Sequence, residues 1–351
     1  MDVYYKEYLG LEGLLNSQKE RSKRHDETLF IIVHQAFELW FKQILHEFDS
    51  IIDIFSQDSF KEKDLGLCLS RLERVTKIQG LFLPHLEILE TMSPMDFLEF
   101  RDEIRPASGF QSIQFREIEL KMGLPKEVST VSDRTYFLEK MIKKEDLDYL
   151  EGIEQEKSLF DLLENWLERI PFMLNERFSF WDQYKKSVEI MLASEELRIQ
   201  NNPLLREFES KMQMESLEGT RETFDCLFSS EKYSSLGRRL SQKATLSALF
   251  ILLYRNEPIL HIPYKFLSTL MDLEENFTAW RYRHVLLAQR MLGTKIGTGG
   301  SSGAAYLKKS ADNKKIFEDI LNLSTYIIPE SKRPLIPAEV RKDLGFYFEE
   351  H

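Results

Sequence analysis

Between Glu27 and Phe55 the apolar positions fall at Phe30, Phe37, Phe41, Ile44, Phe48, Ile52 and Phe55. Steps of three, four and seven place them on one face at 3.6 residues per turn, which predicts a long amphipathic helix. A second helical pattern runs from about Asp64 to Met92. Ser93-Pro94 then reads as an N-cap followed by proline at the first helical position. The short helix it opens carries on to Arg105-Pro106, and another is expected from near Ser108 to Gly123. Further helical patterns cover Glu154 to Arg169, Phe180 to Lys211, Ser241 to Arg255 and Pro263 to Leu292. No run of alternating β-branched residues, no Ser/Gly/Pro-rich linker and no internal repeat interrupts them. The pattern predicts an all-α fold: one mainly helical domain over residues 1–351. It has an N-terminal arm (1–20) and peripheral helices in the acidic middle, about 125–240.

Composition narrows the partners. The 351 residues hold 47 Lys+Arg against 58 Asp+Glu, a formal charge of −11, which argues against a nucleic-acid backbone. Cys68 and Cys226 are far apart, with no CxxC, so neither a disulfide framework nor a structural zinc site is expected. The opening MDVYYKEYLG has no basic and apolar leader pattern. The longest apolar run, Ala248 to Tyr254, is far short of the roughly 20 residues that span a bilayer. A cytoplasmic protein without a membrane or nucleic-acid partner is the expectation.

Candidate chemistry rests on few residues. His34 lies on the Phe30/Phe37/Phe41 stripe and so faces an apolar interior. His284 shares its face with Phe277, Trp280, Ala288 and Met291, with Arg281 and Arg283 beside it. A buried histidine near arginines suits an axial haem ligand whose propionates need cations, though a hydrogen-bonded core histidine reads the same way. Gly297 to Gly303 holds four of the 15 glycines. It lacks the GK[ST] of a P-loop, yet its backbone N–H groups and the Thr298 hydroxyl could meet a small anion. Arg101, a turn after Phe97 and three residues before Ile104, suits a carboxylate clamp at the edge of an apolar pocket. No HExxH, Glu-x-x-His or nucleophile-elbow pattern is present.

Three segments carry a resemblance: HDETLFIIVHQAFELWFKQILHE (25–47), ETMSPMDFLEFRDEIRPASGFQSIQFREIELKMG (90–123) and WRYRHVLLAQRMLGTKIGTGGSSGAAYL (280–307). Together they closely resemble the tryptophan 2,3-dioxygenase family, from Tyr5 through LNLSTYIIP (321–329). The resemblance implies a homotetramer with one haem b per subunit. Such an enzyme adds both atoms of O2 across the indole C2–C3 bond of L-tryptophan, giving N-formyl-L-kynurenine. It further implies His284 as the axial ligand of the haem iron and His34 as the distal histidine facing the indole N–H. Arg101 would pair with the substrate carboxylate, helped by Tyr5 and Thr298. Phe30, Phe97 and Ile104 would form the indole pocket, with Ser108 and Gly109 beside the haem. Tyr5 and Tyr8 would reach a neighbouring subunit's site. Two readings compete: a haem sensor or carrier without turnover, and a dioxygenase of broader indoleamine range. The first needs only His284 and an apolar pocket; Arg101, Thr298 and Tyr5 favour the amino-acid enzyme.

Overall fold

Helices form the regular backbone of this computed structural model, and no strand occurs among the described residues. Those are residues 2–57, 60–125, 143–170, 179–293, 295, 307–308 and 311–344. The fold is all-α, as the periodicity predicts. By packing, the chain divides into two compact units. Unit one comprises Met1–Ile54, Ser70–Leu159 and Asp272–Ile316; unit two comprises Phe55–Leu69, Phe160–Met271 and Phe317–His351.

Two short turns of helix, α1 (Tyr5–Tyr8) and α2 (Leu11–Leu15), begin the chain, followed by α3 (His25–Phe55). The expected helix from Asp64 to Met92 is two helices, α4 (Glu62–Gln79) and α5 (Phe82–Leu89). Gly80 gives the least helical support of any residue but proline, and Pro84 has no N–H to return to the carbonyl of Gly80. The chain therefore restarts with Pro84 inside a first turn, where its missing donor costs nothing. Helix α6 (Pro94–Arg101) opens on a capping box, with Ser93 accepting from the Asp96 N–H and Asp96 from the Ser93 N–H. It ends at Arg101, four residues short of Arg105-Pro106. A 3₁₀ turn (Gly109–Gln111) capped by Ser108 leads into α7 (Ile113–Met122), which stops at Gly123 in the left-handed conformation, φ 107°.

Beyond lie α8 (Lys144–Ile153), α9 (Leu159–Glu168), α10 (Phe180–Gln200) and α11 (Glu207–Phe228). The pattern expected to run from Phe180 to Lys211 breaks at Asn201-Asn202-Pro203, because proline pushes the residue before it out of the helical region. Two further helices, α12 (Ser230–Ser234) and α13 (Gln242–Leu253), precede the longest, α14 (His261–Leu292). No helix among the described residues is long and apolar enough to cross a membrane.

In unit two, α13 is apolar all round and buried from Ala244 to Leu253, so it serves as a central core helix. Phe180 and Tyr184 pack on Phe250 and Tyr254 or on each other. The buried tyrosine hydroxyls are satisfied by backbone carbonyls, Tyr184 donating to Tyr326 and Tyr254 to Pro334. The Asp319 carboxylate accepts from the N–H groups of Arg239 and Leu240 at 2.7 and 2.8 Å, fixing the entry to α13.

Unit one is built on the apolar stripe of α3. Phe37 and Phe41 meet Phe82 of α5 and Trp280 of α14, and Phe115 of α7 lies against Phe41 and Trp280. Beside this cluster is a buried knot of charge centred on Glu119. Its carboxylate accepts from Arg116 at 2.8 Å, from Lys314 at 3.1 and 3.3 Å, and from Arg281 at 3.3 Å. Arg281 also donates to the Lys314 carbonyl at 2.7 Å, and Glu274 accepts from the Ile316 N–H at 2.7 Å. The knot thus fastens α7, α14 and the 314–316 segment to one another. Burial alone would raise the Glu119 carboxyl; Lys314, then Arg116 and Arg281, overcome that and hold it at about 2.

Because a native pKa below the ordinary 4.5 stabilises the fold, Glu119 contributes fully above pH 4.5 and loses that contribution as pH falls toward 2. Glu119→Gln leaves cations buried without their counter-charge and is expected to cost about 3–5 kcal/mol at neutral pH. Urea unfolding of both proteins as a function of pH checks this: the gap should be wide near neutrality and narrow in acid. Equal midpoints near neutrality would show that the knot adds nothing.

Candidate active site

Unit one contains a cavity of about 540 Å³, within the range that holds small ligands and cofactors. A second chamber of about 120 Å³ shares His34, His284 and Gly109 with it. Helix α3 supplies His34, α14 supplies His284, and the two imidazoles stand in the walls of both chambers.

His34 is set by its own helix. Its Nδ1 lies 2.7 Å from the Phe30 carbonyl oxygen, one turn back. A carbonyl only accepts, so Nδ1 carries the proton and donates, and Nε2 keeps its lone pair. The Phe30 ring packs on the imidazole at 4.2 Å between centroids. Burial lowers the His34 pKa, outweighing the Phe30 carbonyl bond and the charge of Glu38. His284 goes further: burial, then the presence of His34, pushes it down to about 4. Both imidazoles are therefore neutral at neutral pH, the form that ligates a metal or accepts a hydrogen bond.

The other predicted residues divide into four groups. Phe30, Phe97, Ile104, Ser108 and Gly109 all line the larger cavity. Phe30 and Phe97 stack at 5.7 Å, making one apolar side. Ile104 reaches it from the turn after α6 rather than from the helix itself, since α6 stops at Arg101. Ser108 caps the 3₁₀ turn, so Gly109 follows it at the cavity wall. A Cβ on Gly109 would meet no heavy atom within 4 Å among the described residues. Arg101 lies one turn past Phe97 and is only 5% exposed. It is not a cavity-lining residue, and desolvation lowers its pKa, Arg105 adding to the effect. Of its acidic neighbours in the chain, Glu99 pairs with Arg24 at 2.5 Å and Asp102 with Arg105 at 3.4 Å. Tyr5 and Tyr8 stand 75% and 78% exposed in the single chain, away from the cavity lining. Thr298 and the glycine stretch lie outside the described residues.

Several wall residues escape a reading of the sequence. Glu38, one turn after His34, lines both chambers and accepts from Gln114 at 2.7 Å. The smaller chamber is bordered by Arg116, Glu119 and Arg281 of the charge knot and by Trp280. The Trp280 indole N–H is shielded from solvent and finds no hydrogen-bond partner among the described residues. Trp280 and Arg281 stood out in the sequence beside His284, and Glu38 stands at helical spacing from His34; Arg116 and Glu119 come from a distant segment that no spacing links to them.

Among the described residues, no three His, Cys, Asp or Glu side chains gather to hold a bare metal ion. The donor set is two neutral imidazoles in the walls of one largely apolar space, with Arg116 and Arg281 bordering the smaller chamber. A sequence model of the tryptophan 2,3-dioxygenase family matches residues 1–327. A relative from Bdellovibrio bacteriovorus named tryptophan 2,3-dioxygenase is 44% identical, covering 99% of each chain. One of the same name from Alteromonas mediterranea is 43% identical over 99% of this chain and 98% of its own. One from Mus musculus is 41% identical over 97% and 86%. With the motifs spread along nearly its whole length, the chain belongs to the tryptophan 2,3-dioxygenase family.

Proposed function

We propose that this protein is a haem-dependent dioxygenase that opens the indole ring of L-tryptophan to N-formyl-L-kynurenine, placing both atoms of O2 across C2–C3. The observation that carries the reading is the pair of neutral, half-buried imidazoles in the walls of one apolar cavity. The residues fit haem. His284 offers an unprotonated nitrogen that would hold the iron, and Gly109 stands in the cavity wall with open space beside its Cα. Arg116, Arg281 and the unpartnered Trp280 N–H can meet its carboxylates. Haem, when bound, supplies the activation of dioxygen.

The remaining work falls to the protein. With Nδ1–H held by the Phe30 carbonyl, His34 turns the Nε2 lone pair to the indole N–H and fixes the ring's orientation. Its lowered pKa makes it a weak base, suited to accepting a hydrogen bond rather than removing a proton. Phe30, Phe97 and Ile104 hold the indole faces and keep water out. Arg101, at the end of α6, pairs with the substrate carboxylate, with the Thr298 hydroxyl adding a contact by family resemblance. In a dry setting such a pair is far stronger than at a surface. Tyr5 and Tyr8 complete the site of a neighbouring subunit in a homotetramer. Their three-quarters exposure in the single chain, with Leu9, Leu14 and Leu15 also exposed, supports an arm that packs elsewhere. A haem carrier needs neither a buried arginine next to the cavity wall nor such an arm.

His284→Ala is expected to abolish stable haem incorporation, read from the Soret absorbance of purified protein. An undiminished Soret band with an intact Fe–His stretch would move the ligand to another residue.

Arg101→Leu should retain haem and lose L-tryptophan. Removing one partner of a desolvated ion pair costs about 2–5 kcal/mol in kcat/KM. The loss should shrink for an indole amine lacking the carboxylate, and equal losses for both substrates would make Arg101 structural.

Deleting residues 1–10 should weaken assembly and substrate binding while leaving haem content near normal. Mixing arm-deleted subunits with Arg101→Leu subunits should then restore activity, because an intact arm can meet an intact clamp. Verified mixed oligomers without recovery would mean that each site is built within one chain.

A further inference from the structure

Residues 17–24 cross the start of α3 as a strap with three fastenings along its length. At the near end, Gln18 donates to Gln35 at 2.7 Å, and Gln35 lies next to His34 and lines the cavity. In the middle, the Glu27 carboxylate accepts from the N–H groups of Arg21 and Ser22, both at 2.7 Å, and from the Ser22 hydroxyl at 2.5 Å. Thr28 adds a bond to Glu20 at 2.7 Å. At the far end, Arg24 pairs with Glu99 of α6 at 2.5 Å, two residues before Arg101.

Glu27 is the strongest of these fastenings. It is 1% exposed, although it belongs to the first turn of a helix that begins in solvent. A buried carboxylate is costly unless its oxygens are satisfied, and here two backbone N–H groups and a hydroxyl satisfy them. Those donors outweigh burial and keep its pKa below the usual carboxylate range. Arg24 and Glu99 are half exposed, 57% and 46% by side chain, so their pair is the weaker tie. A helix start needs no buried hub for its own sake, since an acidic residue that is only half-buried in the first turn, such as Asp26, already favours the helix dipole.

We infer that the strap is a positioning element for the substrate: hubbed on Glu27, it sets the spacing between the helix bearing Phe30 and His34 and the helix bearing Phe97 and Arg101. This rests on the proposed roles of His34 and Arg101. Glu27 touches neither substrate nor cofactor and acts through the two helices. The substrate bridges those helices, its indole N–H on α3, its ring between Phe30 and Phe97 and its carboxylate on α6, so their spacing decides whether these contacts form at once. By reciprocity, substrate that draws on this spacing must in turn hold the strap closed.

The test uses the haem-loaded, assembled enzyme with L-tryptophan and with tryptamine, which lacks the carboxylate. Glu27→Ala should raise the KM for L-tryptophan by about tenfold, with kcat and Soret absorbance per chain nearly unchanged. The KM for tryptamine should move much less. Ser22→Ala, which removes one donor of three, should shift the same KM by about threefold. It keeps the test alive where Glu27→Ala fails to accumulate. In the wild type, L-tryptophan should slow amide exchange at Arg21 and Ser22, and tryptamine should not. A fall in kcat at constant KM, an equal shift for both substrates, or exchange indifferent to L-tryptophan would overturn the strap's role. Arg101→Leu is the control for the underlying reading. Where it discriminates the two substrates and the strap variants do not, the strap alone fails; where it does not discriminate either, both fall.

Discussion

His284 must stay neutral inside protein, and much of unit one follows from that constraint. An imidazole in contact with water is half protonated near its ordinary 6.5; burial brings His284 to about 4. Holding it there takes an apolar wall, of which Trp280 is the ring in contact: it lies 5.9 Å from the imidazole and packs in turn on Phe37, Phe41, Phe82 and Phe115. That wall in turn dictates the long apolar stripe of α3 and the placement of α5 and α7 against it. Charges cannot share such a wall freely, so Arg281 and Glu274 of α14 are gathered into the knot around Glu119, where each cation meets a carboxylate or a carbonyl oxygen. Arg281 is three residues from His284, and its fixed hydrogen bonds also fix the rotation of the helix that presents the imidazole.

The same segregation explains why one end of the site is basic and the rest is dry. Arg116, Arg281 and Lys314 bring three positive charges to Glu119 and Glu274, which bring two negative ones. An anionic group can meet Arg116 and Arg281 at this end, while an uncharged ring is favoured between Phe30, Phe97 and Ile104. A ligand with carboxylates at one edge and an aromatic body matches the wall better than either part alone.

How much of this could be read in the sequence depended on the range of the interaction. The stripe of α3 is local, repeating every three or four residues, so His34 could be assigned to the interior from its phase alone. Ser93-Pro94 and Gly123 gave helix ends because capping is decided within four residues. The interruptions at Gly80 and at Asn201-Asn202-Pro203 were equally local and were masked by apolar periodicity on both sides. Ile104 kept its phase with Phe97, yet the helix ends at Arg101, so the residue reaches the cavity from a turn. By contrast, Lys314 meets Glu119 across 195 positions of chain, and no spacing rule links them. Arg281 looked like a flanking cation and is a buried strut; Arg283, its neighbour, is the one that pairs near the surface, with Glu90 at 2.6 Å. The roles of Tyr5 and Tyr8 came from resemblance, because exposed tyrosines on four helical residues have no pattern of their own.

The state of His34 shows how little machinery the proposed chemistry asks of the protein. In many acid–base sites a carboxylate behind the imidazole raises its basicity and steadies the charge it acquires. Here the group behind the ring is the carbonyl of Phe30, a neutral acceptor in the same helix, 2.7 Å away. Glu38 is the nearby carboxylate, and its acceptor capacity is shared with Gln114. A carbonyl fixes the tautomer but lends little stabilisation to an imidazolium, and burial works against one. The arrangement therefore selects a hydrogen-bond acceptor of fixed direction over a base. Tolerance follows on the proposed reading: a side chain needed for direction rather than proton transfer can be shortened and leave residual turnover, because Phe30, Phe97 and the proposed Arg101 clamp would still confine the ring.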